Sequence, residues 1–328
     1  MRRLAIFSIL FQGAAGAAAA QQARLPASYP HDMTQFECSH RDDGACDNAP
    51  LPPPDYNPLV GTWLRYSLLR NGFSVQPPDA PLVIKFMNDG WWSMMEFPAG
   101  RPRLDKPLAQ QTPQDLFNRF DKMGGGRGNY SMRGQVNIRH HKAGLEPGGG
   151  ENDQVRGWHF DGNALVLDGT GPDHSPIIHA RKLPSQPLGS KALVGSWERT
   201  TYRADGAAAS AVPEHLLLGE DGWYQATVLP PGRTAPKGVQ QKDWATQDYV
   251  NAYGGMEASW GTYNVENGSF LRRSIGHTDP MLEDKVASGS YSLTGDSFTW
   301  RGLDAAGRRF EATYKRLAPF PIYAPAGH

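Results

Sequence analysis

Hydrophobic and polar positions alternate with a period of two through most of this chain. From Leu82 to Met87, Leu82, Ile84 and Phe86 share one face while Val83, Lys85 and Met87 share the other, the pattern of a β-strand. Asn88-Asp89-Gly90 follows and predicts a tight hairpin, because Asp-Gly accepts the positive φ that such turns need; Trp91 to Phe97 is then the returning strand. Further runs predict strands around Gly128 to Arg133, Val136 to His141, Val155 to Phe160, Ala164 to Leu167 and Ile177 to Leu183, with Asp161-Gly162 as another turn. One helical pattern interrupts them. Thr112 is its N-cap, Pro113 its first turn, Asp115 the capping-box acid and Leu116, Phe117 and Phe120 its apolar residues, with Gly124-Gly125-Gly126 ending it.

The same order of elements occurs twice. Leu59-Val60-Gly61-Thr62-Trp63 returns as Leu193-Val194-Gly195-Ser196-Trp197, and Asp89-Gly90-Trp91-Trp92 as Asp221-Gly222-Trp223-Tyr224. Pro98-Ala99-Gly100-Arg101 returns as Pro230-Pro231-Gly232-Arg233, and Gly128-Asn129-Tyr130 as Gly261-Thr262-Tyr263. The offset hardly varies, so each copy is expected to fold as the same domain-sized module. The modules are residues 58–183 and 192–317, joined by a linker at 184–191 and followed by a Pro-rich tail, 318–328, with little to pack. The second helix is expected near Asp243 to Tyr253. The fold class is all-β, with one short helix per module.

Composition sharpens this picture in three places. Gly and Pro number 37 and 27 among 328 residues, which favours short strands and many turns. Residues 1–20 open Met1-Arg2-Arg3, continue with an apolar run from Leu4 to Phe11 too short to span a bilayer, and end in small residues; a signal peptide is expected, and with it a secreted or periplasmic protein with no integral membrane segment after cleavage, the alternative being an ordinary N-terminal helix. Basic and acidic residues are equal at 33 each, so no electrostatic case exists for a nucleic-acid partner. Residues 21–57 form a polar leader containing both cysteines. In an oxidising compartment Cys38 and Cys46 are expected to form a local disulfide; the alternative, a metal site, has only His40 as another soft ligand nearby.

The Gly-x-Trp strand openings, the all-β modules and a basic residue in each last strand together resemble the lipocalins. The ordered motifs Leu59-Val60-Gly61-Thr62-Trp63, Asp89-Gly90-Trp91, Gly100-Arg101-Pro102-Arg103, Thr112-Pro113, His140-His141 and Asp153-Gln154-Val155-Arg156 are similar to a lipocalin-like domain family of bacteria and fungi. The resemblance implies two antiparallel barrels in tandem, each closed at one end by a Trp with a cation across its ring. The pairs would be Trp63 with Arg181 or Lys182, and Trp197 with Lys315 or Arg316, structural rather than chemical. It further implies a hydrophobic small-molecule ligand, no cofactor, and either cofactor-free chemistry, as in tandem Diels-Alderases and hydratases, or simple carriage. The second copy departs from the pattern at Arg273, where the first has His140.

Signatures of serine hydrolases, P-loop enzymes, zincins and Cys-x-x-Cys redox proteins are missing from the sequence. Alternation along Val136 to His141 sets Val136, Ile138 and His140 on one face, expected to be the inner one. His140 is therefore the first candidate acid or base, and a surface strand-end histidine is the bland alternative. Arg273, its counterpart, could polarise a carbonyl or simply be solvated. Glu96 shares its face with Trp92 and Met94 and joins the candidate catalytic set if that face is interior. Trp91-Trp92 and Trp223-Tyr224 each put one ring on each sheet face, so one of each pair is expected to line a ligand. His277 and Asp279 are a further proton-transfer pair or a polar turn. His159, His174 and His179 lack metal-ligand spacing, and no metal site is expected. The leading expectation is cofactor-free non-redox chemistry of cyclase, isomerase, hydratase or lyase type on an aromatic or polyene small molecule; non-catalytic carriage is the alternative, and a purely structural envelope role is the third.

Overall fold

The structure, a computed structural model, describes residues 57–71, 73–75, 81–148, 153–169, 176–208 and 212–323. The expected signal peptide, Cys38, Cys46 and His174 lie outside the described residues. Strands β1 (Gly61–Arg70), β3 (Leu82–Phe86), β4 (Trp91–Glu96), β5 (Gly124–Arg133), β6 (Val136–Gly144), β7 (Gln154–Asp161), β8 (Ala164–Leu167) and β9 (Ile177–Lys182) follow one another around an antiparallel barrel that β1 and β9 close. β2 (Phe73–Val75) is a short flap on β1. The second copy repeats the path with β10 (Gly195–Ala204), β12 (Glu214–Leu218), β13 (Trp223–Val228), β14 (Glu257–Glu266), β15 (Ser269–His277), β16 (Val286–Thr294), β17 (Ser297–Leu303) and β18 (Arg309–Arg316), again with a flap, β11 (Ala207–Ala208). The chain is therefore two closed eight-stranded antiparallel β-barrels in tandem. Among the described residues no helix is long and apolar enough to cross a membrane.

Both helices form outside the barrels. α1 (Pro113–Phe120) starts at the expected capping box, with the Asp115 N–H donating to Thr112 Oγ1 at 3.2 Å and the Thr112 N–H to Asp115 Oδ2 at 3.3 Å. Such a cap stabilises by about 1 kcal/mol. α2 (Thr246–Tyr253) begins later than expected, after a short 3-10 turn at Gln241–Asp243. The three glycines expected to end α1 instead open β5. Gly125 has φ +146°, and a Cβ there would lie 2.2 Å from the Met94 carbonyl oxygen, so the strand crosses β4 only where side chains are missing.

The barrels share a core. Strands β3, β4, β12 and β13 are buried on both faces, because one face looks into a barrel and the other packs on the neighbouring barrel. Val83, Met95 and Phe97 meet Trp223, Leu229 and Trp260 there, and Phe120 of α1 stacks on Tyr253 of α2 at 4.2 Å. The repeated motifs bind each other across this junction. Asp89, in the first Asp-Gly turn, accepts from the Ser196 N–H at 2.9 Å and its hydroxyl at 2.8 Å, in the second Gly-x-Trp opening. Asp221, in the second turn, answers at the first opening through Thr62 and Lys85. Arg101 donates to the carbonyls of His277 and Thr278 at 2.6 and 3.3 Å, and its counterpart Arg233 to those of Gly144 and Leu145 at 2.5 and 2.7 Å. The 318–323 part of the tail also differs from expectation. It lies on the first barrel, where the Phe320 N–H donates to the Asp89 carbonyl at 2.8 Å and the Trp91 indole to the Ala318 carbonyl at 3.1 Å.

Lys85 is fully buried, 2.8 Å from Thr62 Oγ1 and 3.0 Å from Asp221 Oδ1. Burial pulls its ammonium down while Asp221 pulls it back; burial likewise pushes the Asp221 carboxyl up, but Lys85 and Thr62 hold it below its usual range. The register puts Leu217 at the matching place in β12. Lys85→Leu is therefore expected to cost about 3–5 kcal/mol in urea unfolding, because it strands a buried carboxylate. Adding Asp221→Asn should recover most of that loss.

Candidate functional site

The inner face of the second barrel opens into a cavity of about 310 Å³. Its wall is built by strand register. Glu214, at the start of β12, faces Val228 of β13, which faces Glu257 of β14. Arg199 comes from β10 next to a shift in its register with β18, and Arg272 from β15 opposite Tyr263. A β-bulge of this kind re-aims the side chains beside it. Glu214 accepts from Arg272 Nη1 at 2.7 Å and from Arg199 Nη1 at 2.9 Å, with the Tyr314 hydroxyl at 3.3 Å. Burial alone would raise the Glu214 carboxyl, but the two guanidinium groups hold it below its ordinary value. Arg272 also lies 4.8 Å from the Trp300 ring centroid and 5.3 Å from that of Tyr224, and Arg199 lies 4.6 Å from that of Tyr202. Tyr224 and Tyr314 are buried, which pushes both phenols up, so they stay protonated.

The cup thus combines an aromatic wall with a buried ionic network in which one carboxylate bridges two guanidinium groups. It can hold a small molecule that has a planar or extended apolar body and at least one hydrogen-bonding group. Among the described residues no three His, Cys, Asp or Glu side chains converge as metal ligands.

His277 also lines this cavity, at the end of β15 and not in a loop. Burial pulls its imidazole down to about 4, with Arg101, Arg119 and Arg272 adding to the effect against Asp279. Its Nδ1 accepts the Asp279 N–H at 2.8 Å, so the ring is neutral with its proton on Nε2. The Asp279 carboxylate turns away, capping the next turn through the Met281 N–H and pairing with Arg119 at 3.4 Å. The expected proton-transfer pair is therefore a side chain and a main-chain amide.

Strands β6 and β15 carry the main reversal. Asn137, Arg139 and His141 face into the first barrel, and Val136, Ile138 and His140 face out, because the register pairs Tyr130, whose ring meets the interior Phe86, with Arg139. His140 sits under the tail, 2.9 Å from Asp153 Oδ2 and 3.3 Å from Ser131 Oγ, with Phe320 at 5.4 Å. That order resembles a nucleophilic relay, but Ser131 is buried in a sheet face covered by the tail and opens onto no described cavity. Arg273 is exposed and pairs with Asp284 at 3.2 Å; its neighbour Arg272 is the residue in the cup.

The other candidates divide by face. Trp92, Met94 and Glu96 do point into the first barrel, where Glu96 forms an ion pair with Arg65. Tyr224 lines the second barrel's cup. Trp91 and Trp223 are on the outer faces; the indole of Trp223 donates to the Pro184 carbonyl at 2.9 Å, inside the shared core. Arg316 lies 4.1 Å over Trp197, whereas Lys182, not Arg181, lies over Trp63, at 5.5 Å. Arg181 follows the alternation outward and is exposed. Glu214, Arg199 and Arg272 were missed from the sequence. Their signal was there: Arg65 and Arg199, like Arg139 and Arg272, occupy matching positions of both copies.

No protein-family model matches this chain, and no curated protein matches it either.

Glu214 contributes stability above the usual carboxylate pKa of about 4.3, and that contribution fades as pH falls through its depressed folded-state pKa. Glu214→Gln should cost about 3–5 kcal/mol near neutral pH by stranding two arginines. The gap between wild type and variant in urea unfolding is expected to narrow steadily between about pH 5 and about pH 2.

Proposed function

We propose that this chain is a lipocalin-like binding protein that holds an amphipathic small molecule, with an aromatic or polyene body and a polar group, in the cup of its second barrel. Tandem closed barrels, Gly-x-Trp strand openings and cations over the end-plug tryptophans support the lipocalin-like reading. One observation carries the ligand class: aromatic faces of Tyr224, Trp300 and Phe310 border the same cavity as the Glu214–Arg199–Arg272 network. A wholly apolar ligand would bury those charges without a new partner, which is costly, so the ligand brings its own polar group. Export through residues 1–20 belongs to this proposal, with the ligand met outside the cytoplasm.

Carriage is the reading favoured here, because the cup's central charges are already paired to one another. Cofactor-free acid catalysis is a second reading. It is favoured by Glu257 at the cup's rim, an exposed residue whose carboxyl is raised by partial desolvation of its head and by the nearby Glu214, the direction a proton donor would require.

Native mass spectrometry of the purified protein, with organic extraction of whatever it releases, tests both. A ligand recovered unchanged after prolonged incubation supports carriage. A converted ligand, with conversion lost in Glu257→Gln, supports catalysis. Tyr224→Ala should weaken binding of the extracted compound by about tenfold, the loss expected for one buried aromatic contact. Protein that carries nothing and shows no saturable binding of conjugated polyene or aromatic probes would overturn the proposal.

A further inference from the structure

The two barrels share their arginines but not their carboxylates. Arg65 and Arg139 of the first barrel match Arg199 and Arg272 of the second. In the second barrel Glu214 bridges both arginines, at 2.9 and 2.7 Å. In the first, Leu82 occupies the place of Glu214, and the acid has moved to its cross-strand partner Glu96, where it pairs with Arg65. Arg139 is left without a carboxylate among the described residues.

Its surroundings are rich in donors. Arg139 is 1% exposed, lies 5.1 Å over the Trp92 ring and touches Met94 through sulfur at 4.0 Å, and its Nε has no hydrogen-bond partner. Trp92 Nε1, Arg156 Nε and Trp158 Nε1 are also buried without an acceptor. Arg156 faces Asn137 on the same inner wall, two residues along the strand from Arg139, and adds a second cation. His141 packs edge-on against Trp92 at 4.7 Å. Burial, with Arg156 adding to it, pulls the Arg139 guanidinium down to about 9, which still leaves it cationic at neutral pH. Met94, His141, Gln154 and Arg156, on the same inner face, keep partial exposure. Arg156 Nη1 is already committed to the Asp168 and Pro176 carbonyls, both at 3.3 Å, whereas Arg139 is a buried cation with an unused donor over Trp92, which makes it complementary to an anion.

We infer that the first barrel is a second binding site, which takes the carboxylate of an aromatic or polyene acid on Arg139, with Trp92 against the ligand's apolar body. The ligand supplies there the carboxylate that Glu214 supplies in the other barrel. The ligand class rests on the lipocalin-like reading proposed above, whereas Arg139 and Trp92 belong to the first barrel alone.

The test compares trans-cinnamic acid and a conjugated eighteen-carbon polyene acid with their methyl esters, by fluorescence titration of the full mature chain. Wild type should bind at least one acid about tenfold or more tightly than its ester, the effect of one charge-assisted hydrogen bond. Arg139→Met should abolish the preference, retain ester binding and raise the melting temperature of the free protein, which a merely structural arginine would not do. Leu82→Glu, which copies the second barrel's carboxylate, should also abolish the preference and gives an independent route if the first variant folds poorly. Equal binding of acid and ester, no saturable binding of either acid, or a preference that survives Arg139→Met would overturn the inference. A preference lost instead in Tyr224→Ala would move the carboxylate to the second barrel's cup, overturning this assignment while leaving binding there intact.

Discussion

Everything in this molecule depends on burying the outer faces of β3, β4, β12 and β13 against one another. A closed barrel ordinarily presents its outside to water, with polar residues there. Here one sector of each barrel is buried on both sides, and neither barrel can leave the other without exposing Phe97, Trp223 and Trp260. Area alone would let such faces slide. Directional contacts fix the register: Asp89 on Ser196, Lys85 and Thr62 on Asp221, Arg101 and Arg233 each on the other barrel's main chain. The motifs that mark the duplication are largely these contacts. They persist in both copies because each copy presents the same turn and the same strand opening to the other.

The barrel interiors answer to a different constraint, and they have diverged. Two arginines per barrel are kept, placed by the same strands, and each needs charge compensation because burying a guanidinium is costly. Moving one carboxylate across a single cross-strand pair, from Glu214 in one copy to Glu96 in the other, changes which arginine is satisfied. In one barrel both arginines share a carboxylate, beside Tyr224 and Trp300; in the other Arg139 lies against Trp92 without one among the described residues. Duplication followed by such an exchange gives a single chain two barrel interiors of different chemistry.

The tail and the helices join these two themes. α1 and α2 extend the shared core by the stack of Phe120 on Tyr253. The 318–323 segment, from the end of the second barrel, covers the outer face of the first over Trp91 and His140. Polar residues on that face, His140, Ser131 and Asp153, bond to one another and serve the packing of the tail.

Strand order, hairpins, the capping box at Thr112 and the duplication could all be read from the sequence, because each rests on local geometry: period-two alternation, a turn that needs Gly, a helix that needs a cap. That Trp92, Met94 and Glu96 share one face of β4 was legible for the same reason; that this face is the inner one was left open by the sequence. β6 and β15 broke the inference. Alternation supplies a period but not a sign, and apolarity points the wrong way in these strands because the interior is ionic: His140 turns outward to its strand-end alternative, Arg273 is the solvated arginine, and Arg139 and Arg272 face inward. Nor could local pattern reveal that Gly-Arg and Asp-Gly motifs bind across the junction, or that Glu214 bridges two arginines from β10 and β15. Those contacts join residues far apart in the chain, and only closure of the barrels and the burial of one against the other brings them within hydrogen-bonding distance.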